Sequence, residues 1–494
     1  MSHKSIIHRF FHNVLWNLLG AVGARLLAFL AALIAARLLG KERFGELGII
    51  QSTIGLMGTF AGFGLGLTTT KYIAEWKGKD PLRTGRIIAL ANLVALITGA
   101  VMTLACILAA PWLARETLNA PHLASLLQLG SMLLLVSALL GVQNGSLAGF
   151  QAFRSIARIN VIQGLVTVPL TILLVYWFGL LGAVLSLIFS ALVGVCLSSL
   201  ALRKECAAGA IRLDYAGCWG ERRSLWEFSL PALLAGSLVT PVTWAANAIL
   251  VNQPNGYAQM GLFNAANQFR MLIFFLPNII GMVTVPLLSE IHGQDDPAYF
   301  ARAVNANLRT IWGLAIPLGF FVVGFSSWLI GLYGPEFQGG RTVLALMACV
   351  TIMYVAGSTV GQALIGAGKM WTGFLMNLGW ALIFLPLVAH WTPSLGATGL
   401  AQAYFVSYAC FTIALLIYIG VKFGRTGVQY SPHLVLVTCL VFTLALSIGR
   451  VSESFITTIS ILLGITTAVW GWRLLPQEMK QRIIGLVPFS LMSS

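Results

Sequence analysis

Charge is the scarcest feature of this sequence, and acidic charge is scarcer than basic charge. Only 9% of the 494 residues are charged, with 15 acidic residues against 30 lysines and arginines. Soluble domains carry roughly 25% charged residues, so this composition excludes an ordinary soluble protein. The sequence consists instead of successive apolar runs of about 20 residues, the length that a membrane-spanning helix needs. We therefore expect an all-α polytopic membrane protein.

Motifs for metal binding, nucleotide binding and catalysis are also missing. The seven cysteines form no C-x-x-C pair, and no H-E-x-x-H motif or paired carboxylates fall within the apolar runs. The stretch "GFGLGL" (62–67) follows no predicted strand, and "GAGK" (366–369) lacks the remaining spacing of a phosphate loop. The sequence therefore predicts no metal, no cofactor and no enzymatic activity.

The apolar runs predict fourteen membrane spans. Their approximate limits are 13–39, 44–70, 87–113, 122–147, 157–178, 179–202, 229–251, 257–290, 306–333, 342–366, 372–392, 395–421, 434–450 and 454–473. If the N-terminus lies inside, most basic residues fall in cytoplasmic segments, which is the positive-inside pattern. We expect both termini in the cytoplasm. The net charge of +15 then reflects topology, and nucleic acid is not an expected partner.

Three pairs of segments recur along the chain. They are "FGELGIIQST" (44–53) with "YAQMGLFNAA" (257–266), "SLAGFQAFRSIARIN" (146–160) with "ALIGAGKMWTGFLMN" (363–377), and "LLGAVLS" (180–186) with "SLGATGL" (394–400). The copies lie about 213 to 217 residues apart, which covers six predicted spans. An even number of spans gives both copies the same orientation, so an axis along the membrane normal is expected to relate them.

The repeat predicts the domain organisation. We expect two six-helix bundles in parallel repeat around a central cavity, plus two extra C-terminal helices. The predicted parts are an N-terminal lobe (1–202), a basic cytoplasmic linker (203–228), a C-terminal lobe (229–421), and two additional helices with a cytoplasmic tail (422–494).

Several stretches resemble those of Wzx-type polysaccharide-unit flippases. They are "RLLGKERFGELGIIQS", "GLFNAANQFRMLIFFLPNIIGMVTVPLLSEI", the "IGAGK…N" stretch and "SLGATG". The same superfamily holds multidrug exporters of the MATE type and lipid II flippases, and the resemblance covers roughly residues 10–425. It implies a location in a bacterial inner membrane and two lobes around a cavity that opens alternately to each leaflet. The implied cargo is a polyprenyl-diphosphate-linked oligosaccharide for surface polysaccharide such as O-antigen, with membrane lipid, a polymerase and glycosyltransferases as further partners.

Arginines within the apolar runs are the strongest candidates for a substrate-binding site. An arginine at the bilayer centre costs at least about 2.5–3.5 kcal/mol, so it normally has a function. At 1.5 Å per residue, Arg25 in span 1 and Arg270 in span 8 both lie roughly at mid-depth. Guanidinium groups bind phosphate bidentately and do not lose their proton, which suits a diphosphate. Arg37, near the outer end of span 1, is a weaker candidate that fits snorkelling to the interface, and Glu46 is expected to pair with Arg43 or Arg37.

Neutral polar residues extend this predicted site. Asn267 lies one helical turn before Arg270, and Asn247 shares one face of span 7 with Thr240 and Thr243. A hydrated wall that meets sugar hydroxyls is predicted for a further group of residues: Asn17, Gln51, Gln163, Asn377 and Gln402. Hydrogen bonding between helices is the alternative role for each of them.

Two other transporter functions and one enzymatic function stay open at this point. A lipid II flippase would share a basic cavity. A MATE-type, cation-coupled drug exporter would need buried carboxylates, and only Glu46 is available. A membrane-embedded glycosyltransferase or polymerase would need carboxylates or metal ligands in its outer loops, which are short and nearly bare of them.

Overall fold

The computed structural model describes residues 3–223, 238–292, 297–366, 370–423 and 452–474, together with a few single positions between these ranges. The described residues form thirteen α-helices and no strands. In chain order, α1 to α13 are His3–Ala61, Leu65–Trp76, Pro81–Trp112, Ala124–Gly130, Met132–Gly149, Phe153–Ala208, Val239–Val251, Gly256–His292, Pro297–Gly324, Ser326–Gly331, Arg341–Gly366, Met370–Phe423 and Glu453–Leu474. Short turns at Leu113–Thr117, Pro121–Leu123, Cys218–Glu221 and Pro335–Gly340 connect some of them.

Eight helical segments among the described residues are long and apolar enough to cross a membrane. They are Val22–Ala61, Pro81–Thr117, Pro121–Gly149, Phe153–Ala208, Arg302–Gly324, Pro335–Val355, Trp371–Leu415 and Ser454–Gly471. The prediction of an all-helical membrane protein is confirmed. The count of fourteen spans stays a prediction.

Three glycines break the longest helices. Gly40 in α1 has φ 75° and ψ 170°, Gly179 in α6 has φ 57° and ψ −128°, and Gly396 in α12 has φ 57° and ψ −133°. Positive φ is readily adopted only by glycine, because it has no Cβ. Each of these helices is therefore two helices joined at a glycine, and each glycine lies at or beside a predicted junction between two spans.

The breaks also correct the register of one predicted repeat. The sequence comparison paired Gly182 with Gly396, but the shared backbone conformation pairs Gly179 with Gly396. The next glycines, Gly182 and Gly399, then correspond as well. A Cβ added at either one would meet the backbone carbonyl of the residue eight positions earlier. The two copies are thus 217 residues apart here.

The chain divides into two compact units, Met1–Gly261 and Leu262–Ser494. The first unit includes α1 to α7 and the first residues of α8, and so extends beyond the predicted N-terminal lobe. Within it, α1 packs against α6 where Gly20 meets Ala157 and Leu27 meets Gly164. Small residues allow helix backbones to approach closely in membranes.

The second unit packs by the same principle. Gly313 of α9 lies directly against Gly471 of α13, and an added Cβ at Gly471 would meet the carbonyl of Gly313. The α11 and α12 helices are joined by a hydrogen bond in which Thr412 Oγ1 donates to the carbonyl of Met353 over 3.1 Å. Helix α13, from the predicted C-terminal extension, therefore packs directly on this unit.

Within the first unit, two segments that correspond in the repeat cross each other. A Cβ at Gly45 would meet the carbonyl of Tyr257, and a Cβ at Gly261 would meet the carbonyl of Lys41. Gly45 and Gly261 are 216 residues apart, as are Lys41 and Tyr257, so each copy makes the same contact on the other. The predicted pairing of Gly48 with Gly261 is therefore wrong by about one helical turn.

The start of the predicted linker docks on α3. Arg86 Nε donates to Asp214 Oδ2 over 2.8 Å, and Arg83 Nε lies 3.1 Å from Glu221 Oε2. The hydrogen bond from Arg86, with a second from the backbone N–H of Gly217, holds the pKa of Asp214 below its ordinary value. This part of the linker is consequently fixed to the first unit by two ion pairs.

Candidate functional site

Arg25 lies on α1 away from the contact with α6. Gly20 and Leu27 make that contact, and at about 100° per residue Arg25 is about 140° around the helix from Gly20. The Arg25 side chain is half-buried. Within the described residues its guanidinium makes no hydrogen bond or ion pair, so the group has the capacity to bind an anion.

Arg270 lies on α8 in the second unit and is held by a neutral partner. Its Nε donates to Asn267 Oδ1 over 2.8 Å, and its guanidinium carbon lies 6.0 Å from the centroid of the Tyr354 ring. The i, i+3 spacing of Asn267 and Arg270 predicted their proximity correctly. Asn267, expected to contact substrate, holds the arginine and occupies only its Nε. The two terminal amino groups form the part of the fork that binds phosphate bidentately.

An aromatic cluster surrounds this position, and its members are not among the predicted site residues. Tyr354 and Tyr408 lie 5.1 Å apart between ring centroids, and Phe384 and Tyr404 lie 4.4 Å apart. Trp380 stacks on Phe384 at 4.8 Å. The i, i+4 spacing of Tyr404 and Tyr408 on α12 was the available sequence signal, since such residues share one helix face.

Acidic residues are nearly absent from the second unit. Its sequence has only Glu290, Asp295, Asp296 and Glu336 before residue 453, so α11 and α12 contain none. Among the described residues, no carboxylate forms an ion pair with Arg270. The positive charge is therefore oriented by Asn267 without being neutralised, which favours an anionic ligand.

Among the remaining predicted residues, Asn377 and Gln402 belong to the second unit, and the others occupy separate positions in the first. Asn247 Nδ2 donates to Ser52 Oγ over 3.0 Å, and its buried Oδ1 has no partner among the described residues. Gln51 and Arg37 are exposed on α1. The side chain of Asn17 lies outside the described residues. Arg25, Asn247 and Gln51 thus belong to one unit, and Arg270 and Asn267 to the other.

Glu46 pairs with a histidine, and the predicted pairing with an arginine is wrong. His122 Nε2 lies 2.7 Å from Glu46 Oε1. Arg43 is directed elsewhere, because its Nη1 lies against Gly179 at the break in α6. Glu46 therefore has a partner that is close in space, near the first helix junction.

The fold is shared with transporters of the MOP superfamily. An inward-facing multidrug resistance MATE family transporter matches with a TM-score of 0.67 and 16% identity, over 82% of this chain and 96% of that one. The lipid II flippase MurJ in an inward closed conformation matches with a TM-score of 0.66 and 15% identity, over 92% of this chain and 97% of that one. The chain therefore has the MOP superfamily fold, as the predicted resemblance implied.

Sequence comparison then gives the family. Residues 10–292 match the family described as "Polysaccharide biosynthesis protein", and the chain belongs to this family. A curated relative is the "EPS I polysaccharide export inner membrane protein EpsE" of Ralstonia solanacearum, 25% identical over 197 residues. That match covers 38% of this chain and 44% of the relative, so it spans less than half of the relative's length.

Proposed function

We propose that this protein is a flippase that moves polyprenyl-diphosphate-linked oligosaccharide units from the cytoplasmic to the outer leaflet. Membership of a polysaccharide biosynthesis family, the transporter fold and the export function named for the Ralstonia relative support this proposal. The proposal depends above all on the surroundings of Arg270. Asn267 orients its guanidinium, and no acidic residue among the described residues forms an ion pair with it.

In this mechanism the cationic side chains bind the diphosphate while the prenyl tail stays in lipid. Arg270 presents its terminal amino groups to phosphate oxygens, and Arg25 supplies a second guanidinium at mid-depth. Asn247, Gln51 and other polar side chains meet sugar hydroxyls. Alternating exposure of the site to the two leaflets then completes transfer, as is usual for transporters built from repeats.

The proposal includes the predicted organisation of the chain. Two six-helix lobes (1–202 and 229–421) form the cavity, joined by the linker (203–228) and followed by two further helices and a tail (422–494). The protein lies in the inner membrane with fourteen spans and both termini in the cytoplasm. It acts beside glycosyltransferases that build its cargo and a polymerase that uses the product.

A lipid II flippase is the second candidate, because the fold matches MurJ over 92% of this chain and the cargo has the same diphosphate headgroup. A cation-coupled drug exporter is disfavoured, since Glu46 has a local histidine partner. Complementation of strains that lack either flippase distinguishes a polysaccharide-unit flippase from a lipid II flippase.

The site is tested with the variants Arg25→Ala and Arg270→Ala in a strain that lacks its own polysaccharide flippase. Each variant is expected to abolish surface glycan while the protein remains in the membrane, as measured by immunoblot of membrane fractions. Arg154→Ala, which removes an exposed arginine at the start of α6, is the matched control and retains display. Full glycan display by both site variants would overturn the assignment.

A further inference from the structure

A groove on the first unit lies outside the proposed cargo site. Its volume is about 540 Å³, within the usual range for small-molecule sites. The lining comes from α3, α5, the last turns of α6 and the start of the linker. Neither Arg25 nor Asn247 contributes to it.

Gln143 of α5 lines the groove and contains a hydrogen-bond acceptor without a partner among the described residues. The residue is only 7% exposed, and its Nε2 donates to Ser199 Oγ over 2.8 Å. Its Oε1 is buried and has no partner within the described part of the chain. A buried acceptor without a donor is costly, so this position favours a ligand that donates a hydrogen bond.

Arg203 supplies a positive charge about one helical turn from Ser199 on α6. It is exposed, lines the same groove and forms no ion pair among the described residues. An arginine placed there suits a phosphate group, because the guanidinium fork binds phosphate oxygens strongly.

Most of the remaining lining is apolar, with Asn92 and Tyr215 as further polar residues. Leu93 and Leu96 of α3 and Leu139 of α5 line the groove, and Leu96 is 47% exposed. The groove therefore suits a ligand that combines a phosphate, a hydrogen-bond donor close to it and a hydrocarbon chain.

We propose that this groove binds a phospholipid whose headgroup donates hydrogen bonds, with phosphatidylethanolamine as the best-fitting class. The phosphate pairs with Arg203, and an acyl chain lies along Leu96. The ammonium donates to Gln143 Oε1 once the side chain turns this buried atom toward the groove. Phosphatidylcholine has the same phosphate and chains, but its trimethylated nitrogen cannot donate. The site should therefore discriminate between these two lipids.

The test is native mass spectrometry of the purified full-length protein in mixed phosphatidylethanolamine and phosphatidylcholine. A hydrogen bond to a charged group corresponds to about tenfold or more in affinity, so the wild-type protein is expected to retain the ethanolamine lipid in at least about that ratio. Gln143→Leu should abolish the preference, whereas Gln128→Leu, which removes a glutamine of α4 outside the groove, should keep it.

A second pair of variants tests the phosphate contact. Arg203→Gln should lower retention of both lipids, and Lys204→Gln, which removes the next basic residue along α6 but lies outside the groove, should not. Equal retention of the two lipids by the wild-type protein would overturn the proposal, and this result needs no variant. Retention that is unchanged in Arg203→Gln would overturn the phosphate contact.

Discussion

Arg270 shows how a neutral neighbour can orient a half-buried cation without cancelling its charge. Asn267 accepts a hydrogen bond from the guanidinium Nε, which limits the rotation of the side chain. A carboxylate in the same place would form an ion pair and compete with an anionic ligand. In the proposed function, the amide would therefore lower the entropic cost of phosphate binding and preserve the attraction.

Removing this amide should weaken cargo binding without removing the charge. We expect Asn267→Leu to lower the apparent affinity for a polyprenyl-diphosphate glycan about tenfold, since hydrogen bonds to charged groups contribute about 1.5–3 kcal/mol. The loss should be smaller than in Arg270→Ala. Binding of a fluorescent cargo analogue to the purified variants measures both losses of affinity.

The control for this prediction is Asn264→Leu. It makes the same substitution one turn earlier on α8, at a residue whose buried Nδ2 has no partner among the described residues. Equal loss of affinity in the two variants would show that the effect comes from a general disturbance of α8.

At the level of elements, the crossing of α1 and α8 depends on the absence of side chains. Each glycine faces a backbone carbonyl of the other helix, and backbone cannot move aside as a flexible side chain can. We expect Gly45→Ala and Gly261→Ala to destabilise the protein by about 1–3 kcal/mol, the typical cost of overpacking. Thermal unfolding in detergent micelles provides the measurement.

Gly55→Ala is the matched control for the crossing. Gly55 lies on the same helix, and an added Cβ there meets no described atom within 4 Å. The thermal stability of this variant should equal or exceed that of the wild-type protein, since alanine is favoured over glycine inside a helix by about 0.5–1 kcal/mol. A Gly45→Ala protein as stable as Gly55→Ala would contradict the proposed close contact.

The ion pair between Arg86 of α3 and Asp214 of the linker should be lost only in strong acid. The pKa of Asp214 is lowered in the folded protein, chiefly by Arg86, so its ion pair stabilises the loop above the ordinary aspartate pKa of about 3.9. The contribution is lost only as the pH falls through the lower folded value. Protection of 211–221 from hydrogen exchange should thus be constant between about pH 8 and pH 5, after correction for intrinsic rates.

Asp214→Asn should lower this protection across the whole range, because the amide cannot form the ion pair. Glu75→Gln, at an exposed carboxylate elsewhere in the first unit, should leave it unchanged. Protection that already declines near pH 6 in the wild-type protein would point to a different titrating group.

The errors in predicted register have a simple physical origin. Apolar helices repeat their faces every three to four residues, so a shift of one turn still aligns leucine with leucine and glycine with glycine. Gly261 was matched one turn away from its partner for this reason, and Gly396 likewise. At the break, backbone conformation resolves the choice, because Gly179 and Gly396 have positive φ and Gly182 does not. At the crossing, the reciprocal close contacts of Gly45 and Gly261 resolve it.

The candidate site divides in the same way into local and non-local features. The proximity of Asn267 and Arg270 followed from their spacing on one helix. The partner of Glu46 did not, because His122 is 76 residues away and tertiary packing brings it there. The aromatic rings around Arg270 come from α11 and α12, and single-sequence patterns do not give contacts between separate helices.

At the scale of the whole molecule, the imbalance of buried charge favours movement of an anion. An inside-negative membrane potential favours outward movement of negative charge by about 2.3 kcal/mol per elementary charge per 100 mV. A diphosphate that crosses without full compensation should therefore be driven outward by the potential alone.

This predicts voltage-dependent transfer in proteoliposomes of uniform orientation loaded with a fluorescent polyprenyl-diphosphate glycan. Transfer from the cytoplasmic face should be faster with a potassium diffusion potential that is negative on that face than with the potential collapsed. It should be slowest when the sign is reversed. Arg154→Ala should show the same voltage dependence, because that arginine is exposed at the start of α6. A rate that is indifferent to both the size and the sign of the potential would mean that no net charge crosses with the cargo. The guanidinium groups would then have to move with the headgroup, or another cation would have to accompany it.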